Sequence, residues 1–162
     1  MIICGIDPGT RLTGYGIVEL KSGNAKYISH GVIKPKTEDL NMRLQEIHLE
    51  VRSILKEFNA EEMAVETSFH AINSQTALKL GQVRGVIILA ATLSDIPVFE
   101  YTPNEIKKAA CGYGHADKQQ IGDMVNLLLG FTKGNIPAGD AADALAVGIC
   151  HSSARSLRRL GI

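Results

Sequence analysis

The sequence predicts a mixed α/β domain: a sheet of about five strands, three antiparallel and then parallel crossovers, flanked by helices. The first three predicted strands are joined by short segments, which permit only antiparallel pairing because a parallel crossover needs a dozen or more residues. After them, helical patterns alternate with strands, the order of right-handed crossover units. The length of 162 residues favours one domain over residues 1–162.

The first predicted strand is the apolar run Ile2–Ile6, which is typical of a strand buried on both faces. It ends at Asp7, and Pro8 keeps that residue extended while Gly9 lets the chain turn away. The carboxylate of Asp7 is therefore expected at the very end of a central strand. An ordinary Asp-Pro-Gly turn explains the tripeptide equally well.

Two more strands, 14–20 and 25–33, follow around a turn at 21–24. The next segment predicts an amphipathic helix, because apolar residues recur at helical spacing. These residues are Leu40, Leu44, Ile47, Val51, Ile54, Leu55 and Phe58.

A fourth, short strand, Met63–Glu66, also ends in a carboxylate. The helix predicted over 74–93 is apolar on more than one face and rich in glycine and alanine, so it lies either at the centre or at a subunit interface. Residues 97–101 form the fifth strand. Three helices follow: one starts at the capping box Thr102–Glu105, one runs from the Asp117 cap to Gly130, and one covers 140–156.

Composition is that of an ordinary soluble protein, with 45% hydrophobic and 21% charged residues. No apolar run reaches the roughly 18 residues of a membrane span, and the chain starts directly with a strand, so we expect neither a membrane segment nor a signal peptide. Cys4, Cys111 and Cys150 are far apart, which favours reduced thiols in the cytoplasm over a disulfide framework or zinc site.

Charge is unevenly distributed although its net value is zero. Residues 38–66 hold eight acids and three bases, and the remaining chain holds nine acids and fourteen bases. One surface is therefore expected to be cationic, as a phosphate backbone requires. A solvated surface of mixed charge is the alternative.

Four carboxylates are candidates for a shared site. Asp7 and Glu66 both end strands, and they lie side by side if the first and fourth strands are parallel neighbours. Asp140 and Asp143 are three residues apart on a helix and project from one face. Helix-dipole stabilisation of acids in a first turn is the simpler explanation. However, the turn Asp140-Ala-Ala-Asp143-Ala-Leu-Ala is otherwise small and apolar, which indicates packing against another element.

Converging carboxylates repel one another unless a cation neutralises them, and oxygen ligands select hard cations such as Mg²⁺ or Mn²⁺. Two such ions about 4 Å apart activate a water and stabilise the leaving oxygen of a phosphodiester. The four acids therefore predict a metal-dependent nuclease.

The chain resembles the RuvC family of bacterial Holliday-junction resolvases over essentially its whole length. The matching stretches are 5–16, Val65-Glu66 with Phe69, 77–85 and 140–146. The resemblance implies a single ribonuclease-H-like nuclease domain over 1–162 and a homodimer in the bacterial cytoplasm. It also implies Mg²⁺-dependent, paired nicking of four-way DNA junctions in recombination and repair, alongside the branch-migration proteins RuvA and RuvB.

By the same resemblance, the four acidic metal ligands are Asp7, Glu66, Asp140 and Asp143. Some family members carry His-x-x-Asp in the last motif, so Asp140 is the less essential ligand type. The residues implied in DNA contact are Lys107 and Lys118 near the scissile phosphate, Phe69 at the junction centre, and Lys79 and Arg84 in the matching stretch 77–85. Lys118 is also a candidate catalytic residue.

Two other functions compete. An actin- or sugar-kinase-like phosphotransferase has a similar Asp-x-Gly-Thr loop, which here is Asp7-Pro8-Gly9-Thr10, but such enzymes need two large domains and 162 residues leave no room. A catalytically silent junction-binding protein is disfavoured because all four acidic ligands are intact.

Overall fold

The structure is a computed structural model. It describes residues 1–67, 73–131 and 139–159, and of Arg159 the backbone alone. Within these ranges no helix is long and apolar enough to cross a membrane. The described ranges hold five strands and five helices. Their bounds are β1 Ile2–Asp7, β2 Thr13–Lys21, β3 Asn24–Ile33, α1 Leu40–Glu57, β4 Glu62–Glu66, α2 Ser74–Thr92, β5 Val98–Tyr101, α3 Pro103–Cys111, α4 Lys118–Leu129 and α5 Asp140–Arg159.

The strands form one sheet in the order β3-β2-β1-β4-β5. The pairs β3–β2 and β2–β1 are antiparallel, whereas β1–β4 and β4–β5 are parallel. This arrangement confirms the predicted mixed sheet and the predicted parallel contact between the first and fourth strands. Several boundaries differ from the prediction by one residue, as in β4, which begins at Glu62 rather than Met63, and α5 continues past residue 156 to Arg159.

Helices cover both faces of the sheet, and alternate strand residues point to opposite faces. Cys4 and Ile6 belong to the core under α1 and α2. Ile3 belongs to the core under α3, α4 and α5. In β4, Met63 and Val65 share the first core and Ala64 the second.

This alternation decides where the two strand-end acids point. Asp7 lies four residues after Ile3, and Glu66 lies two residues after Ala64, so each continues the side of its strand that faces α5. The carboxyl ends of β1 and β4 therefore present both acids towards the first turn of α5.

Candidate active site

The acidic site begins with two neighbouring strand ends. Ile6 pairs with Val65 in the parallel β1–β4 ladder, so the next residues, Asp7 and Glu66, lie beside each other. Both line a cavity of about 250 Å³ at this edge of the sheet. The other residues that line it are Pro103, Ile106, Lys107, Lys118, Ile121, Asp143 and Ala146.

Glycines in the sheet let α5 come close enough to complete the site. A Cβ added at Gly14, which pairs with Asp7, would lie 1.9 Å from the carbonyl oxygen of Asp140. One added at Gly5 would lie 2.3 Å from the carbonyl oxygen of Ala144. Any larger residue at either position would collide with α5, so the backbone of α5 packs directly against the sheet at Gly5 and Gly14. We call this contact the seat of α5.

Asp140 and Asp143 lie in the first turn of α5 and reach the strand ends from this seat. Carboxylate oxygens of Asp7, Asp140 and Asp143 all lie within 4.8 Å of one another. The alanines at 141, 142 and 144 are buried, which confirms the predicted packing of this turn. The i,i+3 pair and the first strand-end acid therefore meet as the sequence predicts.

The surroundings of Asp7 disfavour its ionised form. Burial raises the pKa of Asp7 to about 8, and the carboxylates of Glu66, Asp143 and Asp140 add to this rise. The ammonium of Lys118 opposes it. Glu66 therefore acts electrostatically on Asp7, although its oxygens are not among those of Asp7, Asp140 and Asp143 that lie within 4.8 Å of one another.

A lysine reaches the cluster from a separate helix. Lys118 is the first residue of α4, which Asp117 caps by accepting a hydrogen bond from the Gln120 amide. Its Nζ donates to Oδ2 of Asp143 at 3.1 Å. This contact raises the pKa of Lys118, first through the hydrogen bond and then through the charge of Asp143. The lysine therefore carries a positive charge beside the acids at neutral pH.

The donor set fits a hard divalent cation. Its ligand atoms are all carboxylate oxygens, the type that Mg²⁺ and Mn²⁺ prefer over softer metals. The mutual repulsion of these acids is the electrostatic feature that such a cation relieves.

A family model for the crossover junction endodeoxyribonuclease RuvC matches residues 3–151. The chain belongs to the RuvC family. A Moorella thermoacetica RuvC is 47% identical over 154 residues, covering 94% of this chain and 92% of that protein. One from Natranaerobius thermophilus is 44% identical over 159 residues, 98% of each chain. T. thermophilus RuvC in complex with Holliday junction substrate matches with a TM-score of 0.89 and 33% identity, covering 98% of this chain and 96% of that one.

Membership of the RuvC family confirms the ribonuclease-H-like fold predicted from the sequence. The other predicted DNA-contact residues are distributed unevenly around the acidic site. Lys107 lines its cavity, whereas Lys79 and Arg84 lie on α2 and do not. Arg84 Nη2 instead lies 2.5 Å from Oε2 of Glu100 on β5. Phe69 falls outside the described residues, and its role stays a prediction.

A buried polar network on α5, which the sequence patterns did not predict, lies beneath the site of this RuvC-family chain. His151 on α5 is fully buried; its Nε2 lies 2.6 Å from Oε2 of Glu62, and its Nδ1 lies 2.7 Å from the hydroxyl of Tyr101. Arg155 forms an ion pair with the same carboxylate. This neutralisation explains why β4 starts at a buried glutamate. His151 follows Asp143 by eight residues on α5, a spacing that places both on one side of the helix. This spacing could have predicted that His151 faces the sheet.

Proposed function

We propose that this protein is a metal-dependent endodeoxyribonuclease that resolves four-way DNA junctions by paired nicks in recombination and repair. The observation that carries the proposal is the convergence of Asp7, Asp140 and Asp143, with Glu66 and Lys118 beside them, in a chain of the RuvC family. A relative whose structure contains Holliday junction substrate supports the choice of DNA.

We assign metal binding to Asp7, Glu66, Asp140 and Asp143. Mg²⁺ is the proposed cofactor, with two ions per site, and Mn²⁺ is the substitute that the same oxygens accept. When bound, the ions supply an activated water and neutralise the leaving oxygen of the phosphodiester.

The protein's own residues position the substrate around that centre. Lys118 holds an ammonium at the rim of the acidic cluster, where it stabilises negative charge developing on the non-bridging oxygens in the transition state. Lys107 lines the same cavity and attracts the phosphate. The seat of α5 on the sheet keeps Asp140 and Asp143 at a constant distance from Asp7.

A C2 dimer is proposed because a symmetric junction needs two nicks on opposed strands. The support comes from an exposed stripe along α2, formed by Leu78, Gly81, Gly85 and Leu89 at helical spacing. Leu78 is 66% exposed and Leu89 47% exposed, and added Cβ atoms at Gly81 and Gly85 would meet nothing within 4 Å. Such a stripe suits close packing against the same stripe of a second copy.

The remaining parts of the proposal rest on family membership. They are a single nuclease domain over 1–162, a bacterial cytoplasmic location, and partnership with the branch-migration proteins RuvA and RuvB. Three free cysteines, two of them buried, accord with a reducing compartment. DNA contacts by Phe69, Lys79 and Arg84 belong to the same proposal. Family membership leaves the phosphotransferase alternative without support.

The test is to incubate a labelled four-way junction with the protein in Mg²⁺, in Mn²⁺ and in EDTA. Symmetric nicks in the two metal reactions and none in EDTA are expected. A linear duplex of the same sequences is the matched substrate control and should remain intact. Binding of the junction without any cleavage in either metal would instead identify a catalytically silent junction-binding protein.

A further inference from the structure

A second charged feature lies at the same edge of the sheet, outside the acidic site. It is a groove of about 290 Å³ formed by the loops that follow β1 and β3 and by the first turn of α1. Its lining residues are Arg11, Leu12, Lys34, Pro35, Glu38 and Arg43. Three cations and one carboxylate give this groove a net positive charge.

Arg43 builds the groove rather than offering its charge to a ligand. Its side chain is only 12% exposed, and its Nε donates to the carbonyl oxygen of Thr37 at 2.7 Å. Nη1 donates to the carbonyl of Thr10 at 3.5 Å, so one guanidinium ties the two loops together. Nη2 donates to Oε2 of Glu38 at 2.6 Å and neutralises the one carboxylate that would repel an anion.

Arg11 and Lys34 are the cations left to face an incoming group. Both side chains are exposed, and neither forms an ion pair within residues 1–67, 73–131 and 139–159. Arg43 cross-links the two loops that carry Arg11 and Lys34, so the backbone at both cations is held in place.

The sheet sets the distance between this groove and the acidic site. β1, β2 and β3 are consecutive neighbours; Asp7 pairs with Gly14, and Thr13 pairs with Ile33, the residue before Lys34. Two strand spacings of about 4.8 Å therefore separate the end of β1 from the end of β3, about 10 Å along the edge. Lys107 on α3 and Lys118 on α4 line the cavity of the acidic site itself.

We infer that the groove binds the sugar–phosphate backbone of the DNA strand being cut, within three phosphates of the scissile one. The inference rests on the proposed function. One strand of duplex DNA carries a phosphate about every 3.4 Å of helix axis, and the spacing along the winding strand is larger, so about 10 Å spans at most three phosphates. A strand that passes from the groove to the acidic site meets Arg11 and Lys34 in the groove and Lys107 and Lys118 in the acidic cavity.

The test removes the two free charges together. Arg11→Ala/Lys34→Ala is compared with Arg52→Ala/Lys56→Ala, which removes the same charge from exposed residues in the last two turns of α1. Junction binding is measured in EDTA, where no cleavage is expected, over a range of salt concentrations. The groove variant should bind about tenfold more weakly at low salt, with a salt slope shallower by about two units. The control should change much less.

A chemical change in the DNA locates the contact. A neutral methylphosphonate at one of the first three phosphates from the cut should weaken binding by the wild-type protein. It should cause no further loss with Arg11→Ala/Lys34→Ala. Equal losses in both proteins, or equal effects of the two double variants, would overturn the inference and leave the groove open to another acidic partner. If the double variant melts below the wild type, Arg11→Gln and Lys34→Gln are compared singly in the same way.

The wild-type protein is run in parallel with Mg²⁺ on the unmodified junction. If it does not cut, the proposed function has failed whatever the variants bind. If it cuts while the groove variants bind as the wild type does, the inference alone has failed.

Discussion

Nζ of Lys118 and Oδ2 of Asp143 lie 3.1 Å apart and join the first turn of α4 to the first turn of α5. The lysine side chain is 84% exposed, whereas that of Asp143 is 19% exposed. An ion pair with one partner in solvent adds little to folding stability. The pair therefore keeps an ammonium at the mouth of the acidic site, where the ammonium can change partner when a phosphate arrives.

Lys118→Ala is expected to slow cleavage by one to three orders of magnitude under saturating protein and single turnover, because a charge that stabilises the transition state is lost. Junction affinity should change much less. Lys118→Arg should rescue only partly, since a planar guanidinium places its charge elsewhere. Wild-type cleavage at saturation, combined with weaker binding and a shallower salt dependence, would move Lys118 to the general DNA-binding surface.

Asp7→Asn should abolish cleavage and leave junction binding largely intact, because phosphate contacts carry the affinity. It should also raise the melting temperature in EDTA, since one of several crowded, partly buried carboxylates is removed. Added Mg²⁺ should then stabilise the wild type more than the variant. Comparable thermal shifts by Mg²⁺ in both proteins would remove Asp7 from the metal ligands.

Gly14→Ala tests the seat of α5. The new Cβ would lie 1.9 Å from the carbonyl oxygen of Asp140, so the start of the helix must move. We expect a loss of about 1–3 kcal/mol in the free energy of unfolding and a weaker thermal shift by Mg²⁺. Gly122→Ala in α4 is the control: its Cβ meets nothing within 4 Å, and better helix propensity should stabilise it by up to about 1 kcal/mol. A Gly14→Ala protein with wild-type stability and Mg²⁺ response would refute the seat.

Leu89→Glu tests the dimer stripe on α2. Sedimentation at micromolar concentration should give about twice 17.4 kDa for the wild type and a monomer for the variant, because a charge is buried at a close helix contact. Leu127→Glu on α4, where the leucine is 73% exposed, is the matched control and should leave the mass unchanged. A wild-type monomer that still makes paired cuts would contradict the proposal.

The network around His151 makes stability depend on pH. Burial lowers the pKa of His151, so the folded protein binds this proton less readily than the unfolded chain, and stability is lost as pH falls through about 6.5. For Glu62, burial acts upward, but hydrogen bonds from Arg155 and His151 outweigh it and lower the pKa, which adds a loss at more acidic pH.

His151→Gln should cost about 1–3 kcal/mol of unfolding free energy at pH 8. Urea titrations should show this deficit shrinking between about pH 7.5 and 5.5, because the variant has no imidazole to protonate. His30→Gln, which alters a partly exposed histidine bonded to Tyr27, is the control and should keep the wild-type pH dependence. An unchanged pH profile in His151→Gln would assign the dependence to other groups.

The local sequence pattern was sufficient to predict the strands and helices and the acidic residues at their ends. An apolar run that stops at Asp7 predicts a strand with a carboxylate at its end, and three-residue spacing on a helix places Asp140 and Asp143 on one face whatever surrounds them. The short early connections likewise required antiparallel pairing. These features depend on neighbours in the chain, and sequence displays such neighbours directly.

Contacts between distant segments were decided only by the tertiary structure. Glu62 and His151 are 89 residues apart, and Lys118 and Asp143 are 25 apart. Whether such pairs meet depends on strand order and on how closely α5 approaches the sheet. The approach is set by the missing side chains at Gly5 and Gly14, which in the sequence look like any other strand glycines. Packing distance is a property of two surfaces together, so neither segment alone encodes it.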